Sequence, residues 1–144
     1  MIDRKLKNYE KYLSKIEFYA KAIGIKIEYA EEPSEGAYIP ARHKVRIDTD
    51  LSESSEIATL LHELGHEMDD TLTVPVYKLE RAYEATYKDK PTKAQLKLVL
   101  ECERKAWYYG KVIAAKLKIK LGKWYDECEK NAIAGYKGIN DEKR

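Results

Sequence analysis

Apolar positions along the chain follow two different periods, and each change of period marks a predicted boundary between elements. Residues 2–22 carry apolar side chains at steps of three and four, which predicts a long amphipathic helix ended by Gly24. Residues 25–29 alternate apolar and charged side chains, the pattern of a half-buried strand. Residues 37–39 and 44–48 repeat that alternation after a turn-rich segment, and we expect them to form a hairpin.

The helical period returns immediately after the hairpin and continues through most of the chain. Helices are predicted at residues 55–69, 76–88, 91–117 and 122–136, with fraying expected over residues 137–144. The predicted class is therefore α+β: an N-terminal helix, a small, three-stranded, mostly antiparallel sheet, and a helical C-terminal half. Residues 1–136 are expected to form one domain, and residues 137–144 a tail.

Composition and charge limit the classes of function. The 144 residues include 27 basic and 25 acidic side chains, a net charge of +2, and this near balance does not predict binding to nucleic acid. No apolar stretch has the form of a signal peptide or is long enough to span a bilayer, so we expect a cytoplasmic protein. Cys102 and Cys128 lack the spacing of a zinc ribbon and are expected to be free thiols.

The sequence His-Glu-Leu-Gly-His at residues 62–66 lies inside the helix predicted at 55–69. Residues four apart share one face of a helix, so the imidazoles of His62 and His66 can converge on a single metal ion. Glu63 then lies beside the ion, where its carboxylate can accept a proton from a water whose pKa zinc lowers to about 7. The spacing predicts a zinc site with His62 and His66 as ligands and Glu63 as the catalytic base.

A catalytic zinc ion usually has a third protein ligand, and the helix predicted after Pro91 offers Glu103. This carboxylate interrupts a stripe that is otherwise apolar, where it would be costly to bury without a cation or a donor. Glu101 is the alternative, but Lys105 stands four residues further on and can pair with it at the surface. We therefore prefer Glu103. His43, in the hairpin connection, is a weaker candidate for a ligand or a substrate contact.

Small residues occur on both helices that would carry these ligands. Gly65 stands between the two histidines, and Ala106 and Gly110 follow Glu103 by one and two turns. A glycine inside a helix costs about 0.5 to 1 kcal/mol relative to alanine, so close helix packing would account for its presence. We expect the two helices to approach each other closely at these positions.

The hairpin, the run I-A-T-L-L-H-E-L-G-H and the E-x-x-A sequence at residues 103–106 together resemble the small zincin-like metallopeptidases related to the ImmA/IrrE family. Compact relatives of that family are common on phages and mobile elements. The resemblance covers residues 36–117 and implies a zincin-like fold, with His62, His66 and Glu103 holding zinc and Glu63 as general base. Trp107 stands where many ImmA/IrrE proteins have asparagine, so support for a ligand histidine must come from another residue.

The predicted activity is hydrolysis of a peptide bond in a protein substrate through a zinc-bound water, by an endopeptidase rather than an exopeptidase. Strand 44–48 is a candidate for binding an extended peptide by β-augmentation, and Tyr38, Tyr108 and Tyr109 are candidates for stabilising the oxyanion. The alternative is a zinc-binding but catalytically silent protein with a zincin fold that acts by regulation or by docking to a host protein.

Overall fold

The computed structural model describes residues 5–30, 36–39, 44–68, 75–88 and 90–142. Over these ranges the chain forms five helices and three strands, which in chain order are α1 (Tyr9–Ala22), β1 (Lys26–Ala30), β2 (Gly36–Ile39), β3 (Lys44–Asp48), α2 (Glu53–Met68), α3 (Val76–Tyr87), α4 (Lys93–Lys116) and α5 (Lys123–Glu142).

The predicted α+β class with a mostly antiparallel three-stranded sheet is wrong. The described chain is predominantly helical, and its sheet has the order β1-β3-β2 with β1 parallel to β3 over the whole of both strands. Only the short β2 pairs antiparallel with β3, as the hairpin pattern predicts. The alternation of apolar and polar residues fixes which face of a strand is buried, but it carries no information about strand direction or order.

The order of the strands also removes one candidate site for substrate. Val45 and Ile47 of β3 face the core as predicted, and both are fully buried. However, β3 has β1 on one side and β2 on the other. Both edges of the β3 backbone are therefore already paired. The prediction that β3 binds a peptide by β-augmentation is wrong.

The first helix begins later than its apolar pattern predicts. Asn8 has a φ of 66°, in the left-handed region, and this conformation interrupts the helix before Tyr9. Leu6 still packs against the core, and its backbone N–H donates a 2.9 Å hydrogen bond to Glu53 at the start of α2. The predicted end is confirmed, because Gly24 follows the helix with a φ of 80°.

The start of α4 is fixed by its local sequence, whereas α5 extends beyond its predicted end. Thr92 and Gln95 form a reciprocal capping box at the start of α4, directly after Pro91. The final helix, α5, continues to Glu142, six residues beyond its predicted end at residue 136.

The core is organised around α2, which packs against α1, α4, α5, β2 and β3. Its fully buried apolar residues are Ile57, Ala58, Leu60, Leu61 and Leu64. Because the rest of the described chain packs around this helix, its buried polar residues Ser54, Glu56, His62 and Glu63 are held in a low-dielectric environment. Any polar side chain there requires a partner.

The close approach of α2 and α4 predicted from their small residues is confirmed. A Cβ atom added at Gly65 would overlap the carbonyl oxygen of Ala106, and one added at Gly110 would lie 3.0 Å from the carbonyl oxygen of Leu61. Glycine at these two positions lets the backbones of the helices come nearly into contact. This packing brings side chains of α2 and α4 within hydrogen-bonding distance of each other.

Candidate metal centre

His62 and His66 of α2 both meet Glu103 of α4 at the contact between the two helices. The Nε2 atom of His62 lies 3.1 Å from Oε1 of Glu103, and Nε2 of His66 lies 2.9 Å from Oε2. Each carboxylate oxygen therefore faces one histidine. Glu103 is only 5% exposed, so the three groups form a buried cluster rather than a surface ion pair.

The alternative third residue, Glu101, is exposed and faces away from this cluster. Of the two candidate carboxylates, the structure brings only Glu103 to the histidines, because the interval of two residues between them turns their side chains to different faces of α4. His43 lies outside the described residues.

Glu63 is the second buried carboxylate of the cluster. Its Oε1 atom lies 3.8 Å from Nε2 of His66, and one ligand atom from each of His62, Glu63 and His66 falls within 4.8 Å of the others. Burial raises the pKa of Glu63 above its ordinary value, against the opposing effect of the two histidines. A carboxylate with a raised pKa is a better proton acceptor than one exposed to water.

The charges within the cluster are strongly coupled. Burial alone would raise the pKa of Glu103, but hydrogen bonds from His62 and His66 outweigh it and hold that pKa well below its usual range. Burial would lower the pKa of His66, yet contacts with Cys102 and Glu103 raise it well above its usual value. The contacts with the histidines therefore favour the ionised form of Glu103.

These donors fit a zinc ion in type, because two imidazole nitrogens and one carboxylate form a ligand set used in catalytic zinc sites. The two histidine–glutamate separations, 3.1 and 2.9 Å, end on different oxygens of Glu103. A cation held by both histidines could therefore bind this carboxylate through either oxygen or through both.

Two tyrosines complete the surroundings of Glu103, and the sequence pattern does not predict either. The hydroxyl of Tyr83, on α3, donates a 2.5 Å hydrogen bond to Oε2, and that of Tyr136, on α5, donates a 3.5 Å bond to Oε1. Burial and the charge of Glu103 raise the pKa of both phenols, so both keep their protons. Tyr108, one of the predicted candidates, is instead 61% exposed.

The histidines have different neighbours from the carboxylate. The indole of Trp107 stacks on the ring of His62, and the Sγ atom of Cys102 lies 3.8 Å from Nδ1 of His66. Nδ1 of His62 is buried and has no hydrogen-bond partner among the described residues. Cys102 and Trp107 both lie within four residues of Glu103 on α4. This proximity in the sequence was the one indication that they would lie near the histidines.

No family model, curated protein or solved structure matches the chain. Among the described residues, no helix combines the length and the apolar character needed to cross a membrane.

Proposed function

We propose that this protein is a zinc-dependent metallopeptidase that hydrolyses a peptide bond of a protein substrate. The observation that carries the proposal is the convergence of both histidine Nε2 atoms on Glu103, with Glu63 buried beside them. In this proposal His62, His66 and Glu103 hold the ion, and Glu63 handles protons. An endopeptidase is favoured over an exopeptidase on the family resemblance alone.

The chemistry of the donors favours zinc over the common alkaline-earth ions. Magnesium and calcium prefer all-oxygen ligand sets, whereas this cluster presents two imidazoles and a carboxylate. Three protein ligands leave a tetrahedral ion with one further position, as catalytic rather than structural zinc sites do. When bound, such an ion acts as a Lewis acid that polarises a carbonyl group and increases the acidity of water.

Glu63 supports the proposed proton transfers. Its raised pKa makes the carboxylate a suitable acceptor for a proton from the attacking water. The same group can then deliver that proton to the nitrogen of the departing amine, which completes cleavage of the C–N bond. Because Glu63 is 6% exposed, bulk water does not compete for this carboxylate.

A cytoplasmic location is also part of the proposal. Cys102 and Cys128 do not form a disulfide, as the sequence predicts, and unbridged cysteines suit a reducing compartment. The resemblance to the ImmA/IrrE-related peptidases further suggests a phage or mobile element as the source of the chain.

The decisive experiment compares the parent protein with Glu63→Gln. Each is loaded with zinc and incubated with a peptide library prepared by digesting a whole proteome, and new peptide ends are identified by mass spectrometry. We expect the variant to fold and bind zinc like the parent, because Glu63 is not one of the proposed ligands. It should lose at least about 100-fold in the rate at which new ends appear.

The opposite results identify the catalytically silent alternative. A zinc-loaded parent that yields no new peptide ends, or the same ends as Glu63→Gln at the same rate, would exclude the peptidase and leave a zinc-binding protein that acts by docking. A parent that binds no zinc would exclude both the peptidase and the zinc-binding docking protein.

A further inference from the structure

We infer that Tyr83 is a positioning residue for the metal site, which holds the Glu103 carboxylate in place for the ion. The inference rests on the proposed metal site and adds a residue from α3, an element that contributes no proposed ligand.

The position of Tyr83 is fixed by its own helix. Ala82 and Thr86 of α3 are buried, and α3 packs against α4. Thr86 donates a 2.7 Å hydrogen bond from its hydroxyl to the carbonyl of Ala82. The adjacent Tyr83 hydroxyl then reaches Oε2 of Glu103 at 2.5 Å, the distance of a strong, charge-assisted bond.

His62 has no comparable support among the described residues. A ligand histidine normally donates its second ring N–H to a carboxylate or a carbonyl, which fixes the ring and its tautomer. Here Nδ1 of His62 has no hydrogen-bond partner, and its ring is stacked on Trp107. The orientation of His62 therefore depends mainly on packing.

On a fixed helix, the side chain of a ligand glutamate needs more outer contacts to hold it in one conformation than that of a ligand histidine. Its side chain has three rotatable bonds, whereas the histidine ring has two, and ordering each bond costs conformational entropy. A hydroxyl bound to Oε2 holds the carboxylate while the remaining lone pairs stay available to a cation. We therefore expect loss of the Tyr83 hydroxyl to weaken zinc binding directly.

Tyr136 provides a matched comparison within the same site. It donates to the other oxygen of Glu103, but at 3.5 Å, where a hydrogen bond is weak. Replacing either tyrosine by phenylalanine removes one hydroxyl and preserves the ring. The two variants therefore differ in the strength of the bond to Glu103 that is lost, and in the contact that the Tyr83 hydroxyl also makes with Cys102.

The test measures zinc dissociation constants of the parent, Tyr83→Phe and Tyr136→Phe by competition with a chromophoric chelator. We expect Tyr83→Phe to bind zinc about 10- to 100-fold more weakly, the range found for loss of an outer contact. Tyr136→Phe should stay within about threefold of the parent, since a bond at the limit of hydrogen-bonding distance contributes little.

A second measurement separates positioning from a general loss of stability. Cobalt(II) replaces zinc at saturating concentration, and its visible absorption reports the geometry of the ligands. Tyr83→Phe should change the shape or the intensity of these bands, whereas Tyr136→Phe should leave them as in the parent. A tyrosine that only stabilises the fold would leave the bands of the fully loaded protein unchanged.

The possible failures are distinguishable. If the parent binds neither ion, the proposed function and this inference are both wrong. If the parent binds zinc and Tyr83→Phe matches it in affinity and in cobalt spectrum, only the role of Tyr83 is excluded. Equal weakening by both substitutions would likewise overturn the specific assignment to Tyr83.

Discussion

Trp107 lies flat against His62, with ring centroids 4.2 Å apart and an angle of 25° between the ring planes. The contact involves the faces of the rings only, because Nε1 of Trp107 and Nδ1 of His62 have no hydrogen-bond partner among the described residues. The hydroxyl of Tyr125 donates a 2.6 Å hydrogen bond to the backbone carbonyl of Trp107. A histidine proposed to bind metal is therefore oriented by packing against an aromatic face.

Trp107→Leu should destabilise the protein through loss of this contact. Leucine is smaller and cannot stack on the imidazole, so we expect a loss of about 2 kcal/mol in the free energy of unfolding. Trp107→Phe keeps a ring at the position and should lose less. Urea denaturation of the two variants measures the difference, and equal losses would show that stacking on His62 contributes nothing beyond volume.

Gly65→Ala tests the close contact between α2 and α4. The added Cβ would overlap the carbonyl oxygen of Ala106, so the helices must separate, and we expect a loss of about 1 to 3 kcal/mol in the free energy of unfolding. Helix propensity alone predicts a gain of up to about 1 kcal/mol, so the sign of the change decides between the two effects.

Gly135→Ala is the matched control for this substitution. Gly135 lies within α5, and a Cβ added there meets no atom within 4 Å among the described residues beyond its own helix backbone. Only the higher helix propensity of alanine then changes the stability. The melting temperature should rise by roughly 2 to 4 °C for a gain of about 1 kcal/mol. Stabilisation by both substitutions would contradict the close packing at Gly65.

Glu103→Ala should abolish metal binding, whereas Glu101→Ala should not. Loss of a direct ligand is expected to weaken zinc binding by more than the roughly 10- to 100-fold typical of an outer contact. Glu101, two residues away and exposed on the same helix, controls for the loss of one negative charge. Elemental analysis after dialysis measures zinc in each protein, and full zinc in Glu103→Ala would remove this residue from the ligand set.

Glu56 should make the stability of the protein depend on pH. Burial raises the pKa of this carboxyl, only partly offset by the 2.7 Å hydrogen bond from the Tyr9 hydroxyl. A pKa raised on folding stabilises the folded state below the unfolded pKa, and this contribution is lost as pH rises through the folded value. The stability of Glu56→Gln relative to the parent should therefore be higher at pH 7 than at pH 4.

Urea denaturation of the parent and Glu56→Gln at the two pH values measures this difference, since glutamine cannot ionise. Tyr9→Phe provides a second check. Without the hydroxyl, the pKa of Glu56 should rise further, and the stability of Tyr9→Phe should fall more steeply with pH than that of the parent. A relative stability of Glu56→Gln that is the same at both values would contradict the raised pKa.

Local spacing was enough to predict which side chains of α2 and α4 meet. The interval between His62 and His66 depends only on helical geometry, and Glu103 was identifiable as the one charged side chain on an apolar stripe. Gly65 marked the helix contact for the same reason, because a mid-helix glycine needs a packing explanation. Each of these signals lies within a single helix and does not depend on how the helices and strands are arranged.

Features that depend on tertiary structure were not predictable in this way. The parallel pairing of β1 with β3 follows from how the chain crosses the sheet, which residue alternation does not encode. Tyr83 and Tyr136 reach Glu103 from two other helices, 20 and 33 residues away along the chain, and nothing near either residue indicates that contact. Asn8 takes a left-handed conformation inside an apolar pattern that otherwise continues.

The distribution of the site along the chain has a consequence for the order of folding. His62 and Glu103 are separated by 41 residues, and Tyr136 lies a further 33 residues on. An ion that arrives before α4 has docked meets two histidines on a single helix, without the carboxylate. If the proposed zinc site is correct, closing this loop must precede high-affinity binding. We therefore expect zinc to bind late in folding, and to slow unfolding more than it speeds folding.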